Sequence, residues 1–202
     1  MYASLPISRS FCPHLSTPHT HNLTSDQDIL AGWPNVVLVT DPVIAEDTEE
    51  SQQLLETIAD YTKNNCCTTI FMGFFVASVE AEMLDYIFKH HFDVKWKAGG
   101  EPETHEALLV ASDQSMLRTA TLVPKMIANA AWLTGVPPSQ AVYFGPAGRR
   151  AVYAAFMRVG LGKLGYIGDT GFGEEPERLV LAMCHLDRLE DSVREEEETP
   201  LE

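Results

Sequence analysis

The sequence predicts an α/β domain with a mainly parallel sheet and a C-terminal β-hairpin. Three observations carry this. Two continuous apolar runs, "NVVLVTD" at residues 35–41 and "TTIFMGFF" at residues 68–75, are each followed by a segment of helical periodicity. Strands buried on both faces read as such unbroken runs, and strand–helix alternation builds parallel sheets. Near the C-terminus, "AVYAAFMRVG" and "KLGYIGD" flank Gly160-Leu161-Gly162, the pattern of two strands around a tight turn.

Each element follows in order. Residues 1–34 mix Ser, Thr, Pro and His with few periodic apolar positions and read as an irregular arm. The first strand ends in Asp41, and Pro42 stops it. "DTEE" at residues 47–50 is a capping-box pattern, and the helix it opens puts Leu54, Leu55, Ile58 and Ala59 on one face. After the second strand, Ser78 is expected to cap a helix with Val79, Met83, Leu84, Ile87 and Phe88 inside. "DVKWKAG" (93–99) and "EALLVAS" (106–112) are short strand candidates. "NAAWLTGV" (129–136) and "QAVYFGP" (140–146) are two more, joined through Pro137-Pro138. The last helix starts near Pro176, a favoured first-turn position, with Leu179, Val180, Met183 and Leu186 apolar. Residues 35–189 thus read as one domain, and residues 190–202 as an acidic tail.

Composition narrows the function classes. The chain has 202 residues, 45% of them hydrophobic, enough for a sizeable core. No apolar run approaches the roughly 20 residues of a membrane span. The net charge of −15 argues against nucleic acid, whose phosphates need a basic face, and gives no attraction to an anionic membrane. Cys12, Cys66, Cys67 and Cys184 show no zinc-like spacing, and the N-terminus lacks a secretory leader pattern, so reduced thiols in a cytoplasmic protein are expected. His14, His19 and His21 read as solvated histidines, since no thiol or carboxylate pattern organises them around a metal. The sequence asks for no cofactor and no metal.

At the hairpin and last helix, "GKLGYIGDTGFGEEPERLVLAMCHL" resembles the C-terminal part of an uncharacterised fungal family in the class I glutamine amidotransferase-like superfamily. "VVLVTDPVI", "LLETIADYTKNN" before "TTIFMGFF", and "WLTGVPPSQAVYFGP" fit it in order. The resemblance covers residues 35–186. It implies a flavodoxin-like three-layer α/β sandwich. It also implies two departures. Working amidotransferases place a Cys nucleophile on a strand-to-helix elbow, where this chain carries Gly73, Phe74 and Phe75. They keep a His after the late strand, where this chain has Gly168-Asp169. Without nucleophile and base, glutaminase chemistry is not expected. The fungal relatives have a His-Arg-Thr segment after the central Trp strand, and "KAGGEPETHEALL" keeps only a His. Against the usual fold, the opening strand and helix are absent from the pattern, leaving a sheet edge that needs cover.

Ligands of open parallel sheets sit beyond the carboxyl ends of the strands. That rule singles out Asp41, the elbow Gly73-Phe74-Phe75, and Asp169 with Glu174 and Glu175. Asp169 reads first as a turn residue that bonds the amides of its glycine-rich loop, and second as a candidate acid–base group. Glu174 and Glu175 also favour a helix start through the helix dipole. His105, expected in a Gly/Glu/Pro-rich loop, is a candidate general base. Adjacent His90 and His91 point about 100° apart on a helix and do not chelate one metal readily. Two main functions compete. One is an amidotransferase-like protein that binds or transforms a small molecule with Asp169 and His105 as catalytic groups and Asp41, Gly73, Phe74, Phe75 and Glu174 as binding residues. The other is a non-catalytic protein that self-associates. A metal-dependent hydrolase using Asp41, Asp169 and Glu174 is the third.

Overall fold

The computed structural model describes residues 34–111, 116–146, 150–171 and 173–186. The expected arm, apart from Pro34, and the acidic tail lie outside them, as do His14, His19 and His21. Strand β1 (Val36–Val39) buries Val37 and Val39 and turns Leu38 outward. A 3₁₀ turn (Pro42–Ala45) follows, then α1 (Glu49–Asn64). Its cap is Thr48 rather than Asp47: Ser51 donates its amide to Thr48 Oγ1 at 3.2 Å and its hydroxyl to the Val43 carbonyl at 2.9 Å. The cap therefore also ties the helix start to the turn before it. Leu55, Ile58 and Ala59 are buried as their spacing predicts.

Strand β2 (Thr68–Phe71) is buried throughout. It runs through Gly73 into a short helix, α2 (Phe74–Ser78), and then α3 (Ala81–Tyr86), which continues as a π turn over Ile87–His91. Ser78 ends α2 instead of capping the next helix, whose N-cap is Glu80. The remaining strands are β3 (Lys97–Ala98), β4 (Glu103–Leu109), β5 (Lys125–Ala130), β6 (Leu133–Thr134), β7 (Ala141–Phe144), β8 (Val152–Val159) and β9 (Gly162–Ile167), before α4 (Glu175–Cys184).

The sheet order is β1-β2-β9-β8-β7-β4-β5, with β3 and β6 attached beside β8. Only β1, β2 and β9 pair in parallel. Every other ladder is antiparallel, so the sheet is mixed and mostly antiparallel, not mainly parallel as expected. The reason is connectivity. Parallel neighbours need a long crossover, as α1 supplies between β1 and β2, whereas a tight turn such as the one joining β8 to β9 forces antiparallel pairing. Gly162 lets that hairpin lie close against the end of α1, because a Cβ there would stand 2.2 Å from the Thr62 carbonyl oxygen and 2.4 Å from that of Cys67.

Hydrophobic clusters cover both faces. On one, α1 and the stretch after α3 pack on Phe71, Leu164 and Tyr166; the Phe71 ring meets those of Phe75, Phe88 and Phe92 at centroid distances of 5.0, 5.8 and 5.5 Å. On the other, Leu179, Ala182 and Met183 of α4 pack with Ile70, Ile167, Tyr143 and Tyr153. Each fully buried aromatic here is worth about 3–5 kcal/mol against alanine. No helix of the described residues is long and apolar enough to cross a membrane.

Candidate functional site

The carboxyl ends of β1, β2 and β9 form one rim. Asp41 follows β1 and accepts the Val43 amide at 3.0 Å, so its exposed carboxylate serves the 3₁₀ turn. At the tip of β2 the turn residue is Gly73, with φ 65° and ψ −135°, outside the range that side chains adopt comfortably. A Cβ on it would meet nothing closer than Thr40 Cγ2 at 3.8 Å. The elbow is therefore a real strand–turn–helix corner with open space above it, and its corner residue is Gly73 rather than Phe74. Phe74 is 58% exposed. Phe75 is fully buried against Phe71, so it is placed in the core and not at a binding surface.

Asp169, beyond β9, is only 8% exposed. It accepts the Gly173 amide at 3.3 Å and faces the Tyr153 hydroxyl at 3.5 Å. The expected bond to its glycine-rich turn is thus present. Burial, and then the Asp169 carboxylate, push the Tyr153 phenol far above its ordinary range. Glu174 is exposed at the α4 N-cap and makes no side-chain cap bond. Its neighbour Glu175 has Oε2 buried without a partner, and Arg178 Nε stands 3.7 Å from Oε1. Burial raises the Glu175 carboxyl above its usual range, with Arg178 opposing and Glu174 adding to the rise.

His105 lies within β4, not in a loop. The reason is register: Glu103, His105 and Ala107 alternate onto one face, opposite Ala130, Ala128 and Met126 of β5. On that face His105 Nε2 stands 2.6 Å from Glu103 Oε2. The pair borders a cavity of about 120 Å³ that Glu101, Trp132, Thr134 and Ala151 also line. Trp132 fixes the geometry, donating its indole N–H to the Glu103 carbonyl at 2.9 Å while its ring lies 5.8 Å from that of His105. A carboxylate beside one imidazole nitrogen orients the ring, an arrangement that suits proton transfer to or from a ligand in the cavity.

Asp169 and His105 are neighbours in topology but not in contact. Asp169 bridges Ala130, and Ala130 pairs with Glu103, so the Asp169 and Glu103 backbones stand about two strand spacings, roughly 10 Å, apart. The rings of Trp132 and Tyr153, 6.1 Å apart, fill the space between. Neither of the two cavities described takes in Asp41, Gly73, Phe74 or Asp169. Of the sequence-predicted site residues, these two cavities take in His105 alone. The structure retains His105 and adds Glu103 and Trp132. The spacing of Glu103 and His105, two apart in a strand, was the signal that could have found the first.

Cys66 and Cys67 precede β2, at the end away from Gly73. Cys67 is buried, and that burial pushes its thiol up to about 12; Cys184 is pushed up to about 11 for the same reason. Such thiols are poor nucleophiles at neutral pH. His91 is buried, and both rings pack on Tyr86, His90 stacked at 4.4 Å and His91 edge-on at 5.7 Å. Among the described residues no three His, Cys, Asp or Glu side chains come together in a group able to hold a metal ion. No protein-family model matches the chain, and no curated protein matches it.

Proposed function

We propose that the chain is an amidotransferase-like α/β protein without glutaminase activity that binds a small molecule beside the carboxyl end of β9, where Glu103 and His105 act on it as an acid–base pair. The observation that carries this reading is the 2.6 Å carboxylate–imidazole contact on the wall of the Trp132 cavity. The elbow supports its negative half. In elbow enzymes the residue at the strained strand-to-helix turn bears the nucleophile. Here that residue is Gly73, which has no side chain to offer. The parallel β1, β2 and β9, with helices packed on both faces, support a flavodoxin-like arrangement of this part of the sheet. The thiols of Cys67 and Cys184, neither in a disulfide, fit a cytoplasmic setting.

The test is a fragment soak into crystals of the protein. Fragments seated between Trp132 and the Glu103–His105 pair support the reading. A cavity that stays empty across the set, while fragments collect elsewhere, overturns it.

A second reading, self-association, is favoured by the β1 edge. Among the described residues this strand ends the sheet, and Leu38 (46%) on β1, Val43 (55%) in the 3₁₀ turn and Phe74 (58%) at the start of α2 stand exposed. Light scattering decides it: a dimer that Leu38→Lys converts to monomer supports this reading, and a wild-type monomer at high concentration rejects it.

A further inference from the structure

The largest cavity described lies away from the Glu103–His105 pair, against the half of β8 next to the hairpin turn. Its volume is about 320 Å³, at the small end of the roughly 300–1,000 Å³ typical of small-molecule sites. Leu117, Val142 and Phe156 give it apolar walls, each at most 5% exposed. Met116 closes one side, held by His185 Nε2 at 3.0 Å from its carbonyl. Among the described residues the one charged residue on the lining is Arg158.

Arg158 sits opposite Lys163 in the β8–β9 ladder, so the two cations share a face of the sheet. Like charges directly across a ladder repel. Among the described residues neither cation has a carboxylate within ion-pair distance, although the chain carries 29 acidic residues against 14 basic ones. Lys163 Nζ instead lies 5.7 Å from the centroid of Phe156, a wall of the cavity. Burial first, and then Arg158, hold the Lys163 ammonium below its usual range, the mark of a cation short of counter-charge. Two cations without a carboxylate partner among the described residues, beside a cavity with apolar walls on one part of its lining, call for an anion with an apolar body.

We propose that this cavity binds a small organic acid, its carboxylate held by Arg158 with Lys163 close behind and its apolar chain lodged against Leu117, Val142 and Phe156. The guanidinium fork pairs with a carboxylate through two hydrogen bonds. Leu117, Val142 and Phe156 reward burial of alkyl or aryl carbon, which an inorganic anion lacks. This site is independent of the Glu103–His105 pair, and either can fail alone.

Calorimetric titration of the full chain with hexanoate tests it, with hexanol and inorganic phosphate as comparisons. Hexanoate is expected to bind at millimolar concentration or better, and hexanol and phosphate about tenfold or more weakly. Arg158→Gln, at an exposed position, should weaken hexanoate about tenfold while leaving the melting temperature unchanged. Val110→Trp, at the exposed margin of the cavity, should block hexanoate by filling the space and leave the Glu103–His105 cavity untouched. Absence of hexanoate binding overturns the proposal. So does equal binding of hexanol, equal binding of phosphate, or hexanoate affinity that survives Arg158→Gln.

Discussion

Replacing Gly73 by alanine isolates the strain stored at the elbow. The corner has φ 65° and ψ −135°, and the added methyl would stand 3.8 Å from Thr40 Cγ2, an ordinary van der Waals contact. Sterics with neighbours therefore contribute nothing, and the whole effect is backbone strain. Such conformations are worth about 1–3 kcal/mol for a residue bearing a Cβ. For a chain of this size that lowers the melting temperature by roughly 2–12 °C. Gly162→Ala is the contrasting case. There the methyl would stand 2.2 Å from the Thr62 carbonyl oxygen and 2.4 Å from that of Cys67, so backbone at the end of α1 and just before β2 must move. Its loss should exceed that of Gly73→Ala by a wide margin, with a lowered yield of folded protein. Thermal melting by circular dichroism on both variants reads the difference. If Gly73→Ala were neutral, the corner after β2 would not have the positive-φ geometry described for it. If Gly162→Ala were the milder change, the close approach of β9 to the end of α1 would be wrong.

Three further outcomes follow from burial. His91 is 7% exposed with Nε2 lacking a partner, and burial foremost lowers its pKa below the usual 6.5, with Glu56 opposing that shift and Lys63 and His90 adding to it. The unfolded chain then takes up the proton first, so stability falls as pH drops through about 6.5 and levels off below the folded pKa; melting of His91→Leu against wild type should show the variant gaining ground as pH falls through that window. Glu175 behaves in the opposite sense: its raised pKa makes its contribution full below about 4.5 and lost as pH rises through the folded value. Glu175→Gln should thus raise the melting temperature at neutral pH, with the gain vanishing on acidification. Tyr143→Phe removes a 2.7 Å hydrogen bond to the Val123 carbonyl and should destabilise by about 1–3 kcal/mol in urea unfolding.

The first strand, helix α1, β2, the β8–β9 hairpin and α4 could be read from the sequence because each rests on local pattern. Unbroken apolar runs mark strands buried on both faces, and Leu55, Ile58 and Ala59 repeat at helical spacing. Pairing direction was not legible. Nothing in "EALLVAS" or "QAVYFGP" says that β4 and β7 meet antiparallel, since that depends on the route of the connections. Strand β5 escaped for another reason: its inward residues Ala128 and Ala130 are small, and outward Ile127 is 70% exposed, so its hydrophobic pattern runs backwards. At the site, Asp169 was found at its strand tip, but its burial beside Tyr153 depends on a bridge to Ala130 that no motif encodes. His105 was found as a residue and misplaced as an element, because Pro102 and the glycines before it suggested a loop while β4 began at Glu103.

The acid–base reading of Glu103 and His105 meets its most direct test in the hydrolysis of p-nitrophenyl acetate, a small ester that needs only a positioned base and a binding surface. Wild-type protein should hydrolyse it faster than buffer, His105→Ala should return the rate to that of buffer, and Glu103→Gln should fall between, with no ammonia released from glutamine by any of the three. A wild-type rate that His105→Ala leaves unchanged would contradict the account.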